Sequence, residues 1–120
     1  MRRQLPPLVL LLLLLLAVLP LSALAAGEWN PIKDVHDPHV KEIGEFAVAE
    51  FNKEPQHGAD LQFQDVIKGE TQVVSGMNYR LILAAKDLAG ATVKNYEAWV
   101  WEKPRLHFKQ LMSFNPVKDV

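Results

Sequence analysis

Residues 8–19 form an apolar run with no polar side chain, and residues 10–16 are all leucine. Pro20 ends that run, and no comparable stretch recurs. Further on, the apolar positions take up first a helical and then a strand period. Val40, Ile43, Ala47 and Phe51 recur at offsets of three, four and four, and Phe46 widens the stripe. Lys41, Glu42, Glu45 and Lys53 lie largely off it. The pattern predicts an amphipathic helix with one face on a core. Asp37 supplies an N-cap acid and Pro38 the first helical residue. The helix should stop between Asn52 and Pro55, because Pro55 disfavours helical geometry at Glu54. Gly44 costs about 1 kcal/mol against alanine inside a helix, so its expected use is close approach of a strand.

From Leu61 the period becomes two. Leu61 and Phe63 alternate with glutamines. Met77, Tyr79, Leu81, Leu83 and Ala85 alternate with Asn78, Arg80 and Lys86. Tyr96, Ala98 and Val100 alternate with Glu97, Trp99 and Trp101. His107 opens a last alternation that buries Phe108, Met112 and Phe114. These are four strands, each with one buried face. Ser75-Gly76, residues 88–91 and Lys103-Pro104 supply turns. Successive strands joined by short turns make an antiparallel meander, and the preceding helix must cover its apolar face. Residues 29–35 are the candidate for a short edge strand. The fold class is α+β.

The amino-terminal run changes the composition. Arg2 and Arg3 precede it, and Ala23-Leu24-Ala25 follows it. A basic start, a short apolar segment and a small-x-small site describe a secretory signal peptide. A spanning helix needs about 20 apolar residues, and proline interrupts this one sooner, so no stable membrane anchor is expected. Cleavage after Ala25 leaves residues 26–120 as one domain, with Ala26 as the alternative position. Eleven basic and fourteen acidic residues then remain, a charge of −3 against −1 for the whole chain. Nucleic-acid binding would need a basic excess, and none is expected. The chain has no cysteine, which excludes disulfides, thiolate metal sites and a cysteine nucleophile.

Other chemistry is sparse. His36, His39 and Glu42 straddle the helix start, and solvated polar roles are expected for them rather than a metal site. His57 falls in a loop and His107 on a strand, with no triad pattern around either. No phosphate-binding loop occurs, and no cofactor is expected. Gln72-Val73-Val74-Ser75-Gly76 is unusual, because two β-branched residues stand where a turn must come. Either the strand continues through Val74, or the hairpin presents an apolar tip to a partner.

Ile43-Gly44-Glu45-Phe46-Ala47-Val48-Ala49-Glu50-Phe51-Asn52 resembles the helix signature of the plant cystatins, inhibitors of papain-like cysteine proteases. Gln72-Val73-Val74-Ser75-Gly76 matches the Gln-x-Val-x-Gly loop of the cystatin superfamily. Ala26-Gly27 falls at the family's N-terminal glycine. Tyr96-Glu97-Ala98, Val100-Trp101 with Lys103-Pro104, and Phe108-Lys109-Gln110-Leu111 look like its later strands. The resemblance covers essentially the whole of residues 26–120.

It implies a four- to five-stranded antiparallel sheet wrapped around one helix, and an inhibitor rather than an enzyme. It also implies an apolar wedge that enters a protease cleft: Gly27, then Gln72, Val73, Val74, Ser75 and Gly76, then the second hairpin at Pro104 and Arg105. The family has Pro-Trp at that hairpin; Arg105 stands here instead. Loss of a tryptophan anchor can cost about 2 kcal/mol, so a secreted interaction or storage protein with weakened inhibition is the alternative. A small enzyme or ligand binder using the concave sheet is a third reading. Trp99 should share a face with Trp101, and strand packing is favoured over a role as a surface anchor. A monomer with a minor domain-swapped dimer is expected.

Overall fold

The computed structural model describes residues 27–55 and 58–118. The expected signal segment, Ala26 and His57 lie outside the described residues. Strand β1 (Trp29–Pro31) is followed by helix α1 (Pro38–Asn52) and strands β2 (Leu61–Val74), β3 (Gly76–Asp87), β4 (Val93–Lys103) and β5 (Phe108–Val117). All neighbouring strands are antiparallel, in the order β1-β2-β3-β4-β5. The expected sheet is thus five-stranded. Its edge strand is only three residues long and contains Pro31, a residue that a sheet tolerates at its edge.

Both ends of α1 are held by side chains. Asp37 Oδ1 accepts from the His39 backbone N–H at 2.9 Å, with Pro38 opening the helix. At the other end Asn52 donates to the Leu61 carbonyl and accepts from the Leu61 N–H, both at 2.9 Å. These two bonds pin the end of the helix to the start of β2. Gly44 permits the close approach expected of it: a Cβ there would lie 2.6 Å from the Phe63 ring and 3.2 Å from Val66.

The concave face of the sheet is filled by the helix. Ile43 and Ala47 are fully buried against a core that includes Leu81, Leu83, Ala98 and Val100. Phe51 stacks on Phe114 at 4.4 Å, and Phe114 on Tyr96 at 5.1 Å. This packing occupies the space that a ligand would need on that face.

Strand parity departs from simple alternation in two places. In β2, register shifts fall between Phe63 and Asp65 and between Val66 and Lys68. Phe63 pairs with Ala85, Val66 with Leu83 and Gly69 with Leu81. The buried face therefore moves from odd to even numbers and back again, because each irregularity inserts one unpaired residue. In β5, Val100 pairs with Leu111 while Trp99 pairs with Ser113, leaving Met112 as the extra residue. Met112 and Phe108 are consequently exposed, at 47% and 41%. Leu111 and Phe114 pack on the core instead. The expectation that Phe108 and Met112 are buried is corrected by this bulge. His107 belongs to a turn rather than a strand, in the left-handed region at φ 49°.

Candidate functional site: one end of the sheet

Antiparallel order places the β2–β3 and β4–β5 connections at the same end of the sheet. β2 runs on to Val74, which pairs with Gly76 across the single tip residue Ser75. The strand continues through the valines, and the valines are exposed. Val73 is 57% and Val74 40% exposed. Gly76 has φ +98°, a conformation costly for any residue with a side chain. A Cβ at Gly76 would also fall on the Glu102 carbonyl oxygen and 3.2 Å from Trp101 Nε1.

Gln72 joins this hairpin to the amino-terminal segment. Its Nε2 donates to the Gly27 carbonyl, and its Oε1 accepts from Asn78 Nδ2 at 2.9 Å. Asn78 is 8% exposed, so the bond satisfies a buried amide. Gly27, Gln72, Val73, Val74, Ser75 and Gly76 are thus brought together.

Trp101 joins the same hairpin to the next one. The Trp101 indole N–H donates to the Ser75 carbonyl at 2.8 Å. The ring meets Phe108 edge-on at 5.8 Å and carries Lys103 Nζ over its face at 4.7 Å. Beyond Lys103 the chain makes a 3-10 turn over Pro104–Leu106, closed by a 3.1 Å bond from the His107 N–H to the Pro104 carbonyl. Arg105 is exposed on this turn, and Leu106 is 69% exposed. Ser75, Gly76, Lys103, Pro104, Arg105 and Leu106 line a groove of about 480 Å³ between the hairpins.

Under the hairpins lies a polar pair. Glu102 is only 4% exposed, and its Oε1 sits 2.8 Å from His39 Nε2. The hydrogen bond to Glu102 holds His39 above its ordinary pKa of 6.5, against the opposing effect of burial, with Glu42 adding to the rise. Burial pushes the neighbouring Tyr79 phenol up to about 12, with Glu102 and Asp37 contributing. His36 turns away toward Asp65 at 3.9 Å. The trio His36, His39 and Glu42 is therefore not assembled: His39 bridges Glu42 and Glu102.

Trp99 lies away from the hairpin tips and packs edge-on against Trp29 at 6.3 Å. Arg80 covers the Trp29 ring at 4.1 Å and meets Glu70 at 3.1 Å. Trp99 is a packing residue, as favoured from the sequence. Sequence reasoning missed Trp101, Asn78 and Glu102 as supports of the tip. The one available signal was alternation, which puts Trp101 on the open face of the strand leading to Lys103-Pro104.

Comparison with known proteins places this geometry. A family model described as "Aspartic acid proteinase inhibitor" matches residues 32–117. The chain is 54% identical to Cysteine proteinase inhibitor 5 of Arabidopsis thaliana over 114 residues, covering 92% of this chain and 91% of that one. It is 52% identical to Cysteine proteinase inhibitor 1 of Actinidia chinensis var. chinensis over 94 residues, 78% of each. Among solved structures, a salivary cystatin from the soft tick Ornithodoros moubata aligns with a TM-score of 0.64 at 20% identity, covering 77% of this chain and 98% of that one. Dimeric human cystatin F aligns at 0.62 and 16%, covering 77% and 87%. These last two likenesses concern the fold.

Proposed function

We propose, from the premise that this chain belongs to the cystatin family of proteinase inhibitors, that it reversibly inhibits papain-like cysteine proteases by occluding the active-site cleft. The observation that carries this reading is the line of Gly27, Val73, Val74 and the Pro104–Leu106 turn along one end of the sheet. The edge so formed is apolar at its centre and tied together by Gln72 and Trp101. Exposed valines with restricted χ1 lose little entropy on docking, and a preformed edge can associate without large rearrangement. The wedge blocks access to the protease nucleophile while placing no peptide bond in line for attack.

The cysteine class is favoured over the aspartic class of the family description by the relatives above 50% identity, which are named as cysteine proteinase inhibitors. Residues 26–120 are expected to inhibit papain and leave pepsin active. Val74→Asp, or deletion through Gly27, should weaken papain inhibition strongly. Full inhibition by both variants would overturn the wedge mechanism.

Arg105 supports a second reading, an interaction or storage role with weakened inhibition, in which Arg105→Trp would restore potency. Residues 1–25 are read as a secretory signal from their basic, apolar and Ala-x-Ala pattern, which would direct the inhibitor to the extracellular space or to an endomembrane lumen such as the vacuole; a role in plant defence is carried over from the resemblance to plant cystatins. The mature chain is expected to be mainly monomeric with a minor domain-swapped fraction. Gel filtration showing only dimer at low concentration would refute that.

A further inference from the structure

Residues 103–109 carry Lys103, Arg105, His107 and Lys109 and no acid, on a chain whose net charge is negative. Lys103 and Lys109 are engaged within the chain. Lys103 lies over the Trp101 ring, and Lys109 Nζ lies 5.9 Å above Phe46 on the helix. Arg105 is different. It is exposed on the 3-10 turn, and its guanidinium has no hydrogen bond, ion pair or ring partner among the described residues. It borders the groove between the two hairpins beside the exposed Leu106. The turn therefore offers an aliphatic side chain and an unengaged guanidinium at adjacent positions.

We propose that Arg105 makes the second hairpin selective for proteases that carry a carboxylate on the cleft wall facing it, with Leu106 supplying the apolar contact beside the ion pair. The proposal rests on the wedge reading above and names the partner chemistry at its second hairpin. A guanidinium presents planar paired donors that match a carboxylate with two hydrogen bonds, and it is weakly hydrated for a cation. Its cationic neighbours reinforce attraction to a negative wall. An aromatic wall would offer the guanidinium a ring face to stack on but no opposite charge for the surrounding cations to meet. The local charge also opposes the overall sign of the molecule, so it directs this end toward an acidic surface and should act on the association rate.

The test uses the purified full chain with papain-like proteases in matched pairs. Each pair is one enzyme with a carboxylate on that wall and the same enzyme with the carboxylate changed to its amide. Arg105→Glu should raise the inhibition constant about tenfold or more toward the carboxylate form and about twofold or less toward the amide form. Arg105→Gln should fall between, and rising salt should slow association of the unmodified chain with the carboxylate form only. An equal effect of Arg105→Glu on both forms would overturn the proposal while leaving the wedge intact. Failure of the unmodified chain to inhibit either form would overturn both. Val74→Asp separates the two ideas, because it should weaken inhibition of both forms alike.

Discussion

The Trp101 indole N–H reaches across the sheet end and donates to the Ser75 carbonyl at 2.8 Å. One side chain on β4 thereby holds the tip of the β2–β3 hairpin, while its ring packs edge-on against Phe108 of β5. A hydrogen bond of this kind contributes about 0.5–1.5 kcal/mol. Trp101→Phe keeps an aromatic ring and removes the donor. It should weaken papain inhibition about three- to tenfold, speed amide exchange at Gly76 and lower the melting temperature by about 2–12 °C. An unchanged inhibition constant and exchange rate would show that the bond does not position the tip.

Gly76 tests the backbone of the same tip. Its φ of +98° and the Glu102 carbonyl against it leave no room for a methyl group. Gly76→Ala should cost about 1–3 kcal/mol of stability. Its larger effect should be on inhibition, because the strained tip can relax only by moving Val73 and Val74. Denaturant unfolding and an inhibition assay on one preparation separate the two. An inhibition loss no greater than that of an equally destabilised core variant would count against the argument.

His39 and Glu102 make stability depend on pH. The folded-state pKa of His39 is raised above 6.5, chiefly by its hydrogen bond to the buried Glu102. The protonated imidazolium is therefore favoured in the folded state. Its stabilisation is complete below about pH 6.5 and is lost as the pH rises through the raised folded value. Unfolding free energy should fall across that interval, and His39→Gln should flatten the slope. A slope that survives the substitution would assign the dependence elsewhere.

Asn52 lies at the opposite end of the sheet from the β2–β3 hairpin tip and holds the helix to Leu61 through two hydrogen bonds. Asn52→Ala leaves both Leu61 backbone groups without their partner and should cost about 1–3 kcal/mol. For a domain of this size each kcal/mol lowers the melting temperature by about 4–8 °C. Inhibition well below the transition should be unchanged, since the Asn52 bonds go to Leu61 at the far end of β2 from Val74. Thermal unfolding followed by circular dichroism, beside a low-temperature inhibition assay, checks both halves.

Most of the candidate site could be read locally. Exposed Val73 and Val74 stood out because β-branched residues preceded Ser75-Gly76, and Gly76 proved to have the positive φ that a tight hairpin can require. Trp99 and Trp101 were separable only as neighbours on one face. Their partners are Trp29 in one case and Ser75 and Phe108 in the other. Those residues come from three other parts of the chain, so the roles of the two tryptophans follow from strand register. Glu102 carried no local sign of burial, since charged residues usually mark a solvated position. It is buried because His39 arrives from the start of the helix.

The sequence by itself determined the helix from its cap, proline and apolar spacing, the strands from their period of two, and the tip of the first hairpin from its turn chemistry. Those signals act between residues a few positions apart, so they survive without knowledge of the fold. Only the tertiary structure decided the parity of β2 and β5. An inserted residue at a bulge has no distinctive side chain, and alternation carries phase only along an unbroken strand. The bulge that exposes Met112 and packs Leu111 on the core, the Gln72 link to Gly27, and the His39–Glu102 pair all depend on register between distant segments. Register is set by how the whole sheet closes over the helix, which no local stretch contains.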